Sequence, residues 1–365
     1  MRTCLRFAFP FLVLAATACE SAPGSSGGFA PIGDAAAGDS ASGETAAEAG
    51  GTAADAARIP EPGAVVSATC VDGKYAEVLP DGKGSIAALK SGYTSAKYLE
   101  FILDVLAIRY PVGRHLIEGG MAAKTGFPQH CVDMFLSSTQ RKSAATVLPM
   151  LSTLVHECGH MLDIGKGGFA SSAYILSPTV QFTCQGAGHA GQNQGFARNL
   201  LRQDAFSEKW PPCNGNFGNC DTYADSYLDG DAKDGKFQGG DQAYSSVLEE
   251  TVQYVNSLAT DYTFRDQMQA GSKITARDGI LTFLWYVQRY LHMARLQYPA
   301  VYTYITGNAC WREATLTVWG RAWLYLEATK NLPQLSIHGD ALLALVKDPV
   351  LLDEIARLRQ AHGCK

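Results

Sequence analysis

The stretch Leu151-Ser152-Thr153-Leu154-Val155-His156-Glu157-Cys158-Gly159-His160-Met161-Leu162 decides how this chain reads. Leu151, Leu154, Val155, Cys158 and Leu162 recur at helical spacing and mark one apolar face. His156 and His160 are four residues apart, so on a helix they lie one above the other on a different face. Two imidazoles at that spacing can grip one zinc ion, and Glu157 can reach a water beside it and take its proton. Pro149 suits the first turn of such a helix, where its missing N–H costs nothing. Gly165 reads as the C-terminal stop, with Gly167 and Gly168 beyond. The competing reading is a core helix whose two histidines are merely satisfied. The amphipathic setting, in a chain with only 8 histidines, favours the metal site.

His156, Glu157 and His160, with their flanking helix, resemble the zincin metallopeptidases. The match is short and points to a broad clan. The resemblance implies a mixed sheet beside the motif helix, a third zinc ligand downstream, and peptide-bond hydrolysis. With the helical patterns elsewhere in the chain, the expected fold class is α+β, predominantly helical and zincin-like, with a small mixed sheet. The metzincin extension H-E-x-x-H-x-x-G-x-x-H is absent: Asp163 stands where its glycine would be, and Lys166 where its third histidine would be. The gluzincin and aspzincin branches remain, with the gluzincin type preferred.

A gluzincin takes its third ligand from a second helix, as a glutamate often followed four residues later by a polar group. Ser245 to Tyr262 carries a helical apolar stripe of Leu248, Val252, Val255 and Ala259, with Glu249 and Glu250 on its flanks. Glu249 is followed at that spacing by Gln253, with Asn256 beyond; Glu250 is followed by Tyr254. Glu249 is narrowly preferred and Glu250 stays open. Glu208 and Asp225 are lesser rivals, Asp225 for a faint likeness to the aspzincin aspartate. Asp163 shares a helix with both histidines, and one helix surrounds a tetrahedral ion poorly. It reads as a group that orients a histidine or holds the helix end. Zincins also place a Tyr or His donor near the substrate carbonyl to stabilise an oxyanion. Tyr244 is the candidate, with His189 in a glycine-rich loop second.

Outward from the motif, the chain begins with a secretory signal: Arg2 and Arg6, an apolar run from Phe7 to Ala16, then small residues. Cys19 follows Ala16-Thr17-Ala18, which resembles a bacterial lipoprotein cleavage site with Cys19 as the lipidated residue. Residues 1–19 are therefore expected to be signal and anchor. Residues 20–60, rich in Ala, Gly and Ser, are read as a disordered linker, and 61–365 as the zincin-like domain. The expected location is the cell envelope, tethered by lipid at the outer membrane or cell surface, or otherwise secreted. A net charge of −5 argues against a nucleic-acid partner. The apolar run Gly279 to Val287 is too short to cross a membrane and reads as a buried helix.

Ten cysteines are present, and Cys4 and Cys19 belong to the signal and its cleavage site. An oxidising compartment favours pairing of the others. Cys213 and Cys220 bracket a loop-forming stretch and read as a local disulfide. Cys158 is expected to be a buried free thiol on the apolar face. Asp229, Asp231 and Asp234 resemble a calcium loop one residue out of register and without its closing glutamate, so a solvated acidic turn competes and any Ca2+ binding is expected to be weak. Residues 64–80 read as a short strand or two, Thr94 to Tyr110 as a helix, and Gln192 to Phe206 as helical. Cys131 to Leu136 or Tyr174 to Cys184 would supply the edge strand beside the motif. Asp278 to Leu296, Trp311 to Ala328 and Pro349 to Ala361 carry helical patterns, their tryptophans in the core. The expected activity is zinc-dependent hydrolysis of a peptide or protein substrate with Glu157 as general base. The alternatives are an inactive zincin-like surface-binding lipoprotein and a zinc hydrolase of non-peptide substrates.

Overall fold

The computed structural model describes residues 64–80, 82–126, 129–168, 171–186, 194–207, 222–228 and 240–364. The signal, Cys19, the linker, His189, Glu208, Cys213, Cys220 and the Asp229–Asp234 loop lie outside them. In chain order the helices are α1 (Val71–Lys74), α2 (Ala87–Ser91), α3 (Tyr98–Arg109), α4 (Pro111–Ala122), α5 (Cys131–Phe135), α6 (Ala144–Val147) and α7 (Leu151–Gly167). A hairpin of β1 (Ser171–Ile175) and β2 (Gln181–Gln185) comes next, then α8 (Thr222–Tyr227) and α9 (Tyr244–Thr263). The chain continues through α10 (Ala276–Gln297), α11 (Pro299–Gly307), α12 (Ala309–Ala328), α13 (Gly339–Val346) and α14 (Pro349–His362).

The long helices fall where the apolar spacing puts them. α3 ends before Pro111, and that proline opens α4, where its fixed φ fits the first turn. Gly113, Gly119 and Gly120 weaken the helical signal of α4. Packing explains Gly120: a Cβ there would lie 2.2 Å from the Cys158 carbonyl oxygen, because α4 and α7 cross with their backbones touching. The motif helix α7 runs past Gly165 to Gly167 and closes on Gly168 at φ 64°.

α7 packs against α4, α5, α9 and β1; α9 lies in turn against α10 and α12. α9 is therefore interior, and it carries Glu250, Gln253 and Asn256 into the core alongside its leucines and valines. The Gly279–Val287 run sits buried within α10. Trp285, Trp311 and Trp319 are core residues.

Four local expectations are corrected. The sheet is not mixed: among the described residues it is one antiparallel hairpin, with Ser171 opposite Gln185 and Ile175 opposite Gln181. Cys131 to Leu136 is helical rather than extended, as α5. The strand beside the motif helix is β1, tied to it where the Ile175 N–H donates to Asp163 Oδ1 at 2.9 Å. Within residues 64–80 no strand forms; the described chain has the short helix α1, whose Asp72 is buried against Arg359. Within Gln192 to Phe206 the described helical part is one 3-10 segment, Arg198–Gln203.

Cysteine pairing brings a fifth correction. Cys158 is not a free thiol but is bonded to Cys131, which clamps α5 onto α7. The apolar face of α7 does carry Cys158 away from the histidines, and Cys131 meets it there. Cys70–Cys364 joins the two ends of the described chain, and Cys184–Cys310 joins β2 to α12. The Cα separations of 5.1 to 5.4 Å suit all three bonds.

Candidate metal centre

The packing of α7 on α9 brings His156, His160 and Glu250 together as a buried group able to hold a metal ion. His156 Nε2 lies 3.7 Å and His160 Nε2 3.6 Å from the same oxygen, Glu250 Oε2. A tetrahedral ion with bonds of about 2.0–2.1 Å sets its donors about 3.3–3.4 Å apart, so small adjustments would close these three onto one ion. Chemistry agrees with geometry. His160 Nε2 and Glu250 Oε2 are sealed from solvent and have no hydrogen-bond partner, as does Glu157 Oε2 beside them in the motif. Buried polar atoms are normally satisfied, so unpaired donors and acceptors in such a group suit a metal ion.

The opposite ring nitrogens are firmly held. His160 Nδ1 sits 2.6 and 2.7 Å from the two oxygens of Glu249, and His156 Nδ1 sits 3.0 Å from Ser257 Oγ. With each Nδ1 engaged by these oxygens, Nε2 is the ring nitrogen left to meet a metal ion. The preference for Glu249 as third ligand is thus overturned: Glu250 faces the histidine pair, and Glu249 orients His160 from behind. Neighbours hold Glu249 in turn. Gln253 Nε2 donates to Asp163 Oδ2 at 2.9 Å and to Glu249 Oε1 at 3.3 Å. Gly159 makes room for this, since a Cβ there would lie 1.9 Å from Gln253 Oε1. Asp163 links the helix to β1 and the network, the supporting role read from its position.

Four carboxylates crowd this small volume. Burial drives Glu157 up to about 8, with Glu250 and Glu249 adding to the rise and His160 opposing it. Burial pushes His160 down, but Glu249 and Glu250 outweigh it and hold the imidazole at about 10. Burial lowers His156. Asp163 is raised, first by burial and then by Glu249. Such a concentration of negative charge out of water favours a cation.

Tyr244 does not supply the oxyanion donor expected of it. Its hydroxyl is bonded to Thr315 Oγ1 at 2.8 Å, and its ring packs by Tyr290 and Trp311. Two other tyrosines stand at the centre. The Tyr254 ring meets the His156 ring edge-on at 4.9 Å, and its hydroxyl lies 2.9 Å from that of Tyr227. Glu250 and Glu157 both act on the Tyr227 hydroxyl. The one hint of this in the sequence is Tyr254, a helical turn beyond Glu250. Asp225 falls within α8, and its side chain lies outside the described residues. Comparisons with family models, with curated proteins and with solved structures return no match to this chain. Among the described residues no helix is long and apolar enough to cross a membrane.

Proposed function

We propose that the protein is an exported zinc metallopeptidase of gluzincin type, with His156, His160 and Glu250 as ligands and Glu157 as general base. One observation carries this reading: the buried atoms His160 Nε2, Glu250 Oε2 and Glu157 Oε2 have no partner, while both histidines are held through Nδ1. A bound zinc ion would supply Lewis acidity, polarising a peptide carbonyl and bringing the pKa of water down to about 7. Glu157 Oε2 takes a proton from the attacking water and later delivers it to the departing amine nitrogen. In the Tyr227–Tyr254 pair one hydroxyl donates to the other, which leaves one O–H for the oxyanion on the substrate carbonyl. Burial keeps both hydroxyls protonated for that purpose. An acid at Glu157 also separates this reading from a purely structural site, which needs no base.

The disulfides suit an oxidising compartment, which supports export. Lipid attachment at Cys19 belongs to the same proposal.

Elemental analysis of the purified protein, beside a casein-digestion assay, tests it. Near-stoichiometric zinc is expected in the wild type and in Glu157→Gln, with hydrolysis lost only in the latter. Glu250→Gln should lose zinc and activity together. A wild type that takes up no zinc would sink the reading. Zinc without hydrolysis of any peptide would move it toward a different zinc hydrolase.

A further inference from the structure

Among the described residues the fully buried arginines obey one rule with one exception. Arg289 is paired with Asp204 at 2.8 Å, Arg321 with Glu77 at 2.9 Å and Arg359 with Asp72 at 2.7 Å. Arg198 is as deeply buried, at 0% exposure, yet its Nε, Nη1 and Nη2 have no hydrogen-bond partner. Among the described residues no carboxylate lies within ion-pair distance of it. A guanidinium cannot relieve this by losing its proton at any ordinary pH. A buried cation with five unmet donors calls for an anion.

Its position says where that anion comes from. The Arg198 and Asn199 N–H groups donate to the carbonyls of Gln242 and Gly240 at 2.7 and 2.9 Å, fixing this segment just ahead of α9. The guanidinium carbon lies 5.4 Å from the centre of the Tyr227 ring. Tyr227 is bonded to Tyr254, and Tyr254 packs on His156. Two tyrosine rings in succession, Tyr227 and Tyr254, therefore connect Arg198 to His156 at the metal centre. Burial works against the Arg198 charge, and the Glu250 carboxylate, which faces the two histidine nitrogens, works in its favour.

We propose that Arg198 binds a carboxylate of the substrate, either a peptide's C-terminal group or an acidic side chain, while the scissile bond lies at the metal centre. The planar fork of donors matches the two oxygens of a carboxylate. The proposal rests on the peptidase reading above and deepens it to a substrate class.

The test uses the zinc-loaded full chain and two probes: succinic acid monohydroxamate, and the same compound with its carboxylate replaced by a carboxamide. Calorimetry on the wild type should show the carboxylate probe binding about 10–100-fold tighter, the range of a hydrogen bond to a charged group. Arg198→Gln should keep its zinc and bind both probes equally; Arg198→Lys should keep part of the preference. The proposal fails if the wild type shows no preference or if Arg198→Gln retains it. It also fails if Arg198→Gln loses zinc as Glu250→Gln does, for Arg198 would then serve the ligand carboxylate. A zinc-loaded wild type that binds neither hydroxamate overturns the metal-site reading, and this proposal with it. Peptides titrated onto Glu157→Gln separate the sources. Loss of binding on C-terminal amidation identifies the main-chain terminus, and loss on an internal Glu-to-Gln exchange identifies the side chain.

Discussion

Two buried polar clusters touch α9, and they are built in opposite ways. Around Arg321 every polar atom is paired. Its Nε reaches Glu77 at 2.9 Å, Nη1 reaches Asn256 Oδ1 at 2.6 Å, and Nη2 reaches the Tyr110 hydroxyl at 3.2 Å. Tyr75 and Tyr325 complete the shell by donating to Glu77. Around His156 and His160 the reverse holds, with His160 Nε2, Glu250 Oε2 and Glu157 Oε2 bare and the bare guanidinium of Arg198 behind. A closed cluster is finished by folding alone, whereas an open one is finished by something the chain does not contain. Asn256 and Gln253 connect the two. Asn256 Nδ2 donates to Gln253 Oε1 at 2.9 Å, and Gln253 passes its own Nε2 to Asp163 and Glu249. Arg321 can only donate, so Asn256 presents Oδ1 to it and Nδ2 to Gln253 Oε1, which leaves Gln253 Nε2 to face Asp163 and Glu249. The closed cluster thereby orients the support of the open one.

The largest effect expected from this contrast lies in the closed cluster. Arg321→Met leaves Glu77 buried without its cation and should cost about 3–5 kcal/mol in urea unfolding, with or without zinc. An unchanged midpoint would break the comparison. In the open cluster the effect should depend on metal. Zinc at 1,000 times its Kd should stabilise the wild type by about 4 kcal/mol, and Glu250→Gln should gain little while matching the wild type in a chelator. Equal zinc-induced shifts in Tm for the two proteins would remove Glu250 from the ligand set. A smaller change is expected for Glu249→Gln, which weakens the hold on His160 Nδ1 but leaves the three ligand side chains in place. Competition with a chelator should show about 10–100-fold weaker zinc binding.

The smallest effect concerns Asp261, which accepts from Ser152 at 2.8 Å, one turn before His156. Burial raises its carboxyl from 3.8 to about 7, with the Ser152 bond opposing the rise. A raised acid pKa stabilises the fold fully below the unfolded value, and that contribution is lost as pH climbs through the folded one. Stability should therefore fall between pH ~4 and ~7 by at most about 1.4 kcal/mol per unit, less for the part of Asp261 that solvent screens. Asp261→Asn should flatten that slope in urea titrations run across the window. An identical slope in both proteins would mean the carboxyl titrates as it does in the unfolded chain.

Some of this was legible from residue spacing and some was not. The helices α3, α7, α9, α10, α12 and α14 follow from apolar periodicity, because each has one face to bury. α4 was hidden by its glycines, of which Gly119 and Gly120 make room for α7. α5 was obscured because five residues are too few to show a period. Glu249 looked the better ligand because Gln253 and Asn256 extend a polar line from it. That line is real, but it belongs to the buried network that supports a histidine. Arg198 and Tyr227 carried no signal, for no spacing links them to the motif.

The sequence by itself determined the motif helix, the two histidines, the place of Glu157 beside them and the helical character of the chain. Those features depend on residues within a few turns of one another, where helical geometry dictates which side chains share a face. Only the tertiary structure decided that Glu250 rather than Glu249 meets the histidines, that Cys158 is bonded to Cys131, and that Arg198 is buried without a partner. Each of these depends on the rotation of one element against another, and that rotation is set by packing summed over the whole core.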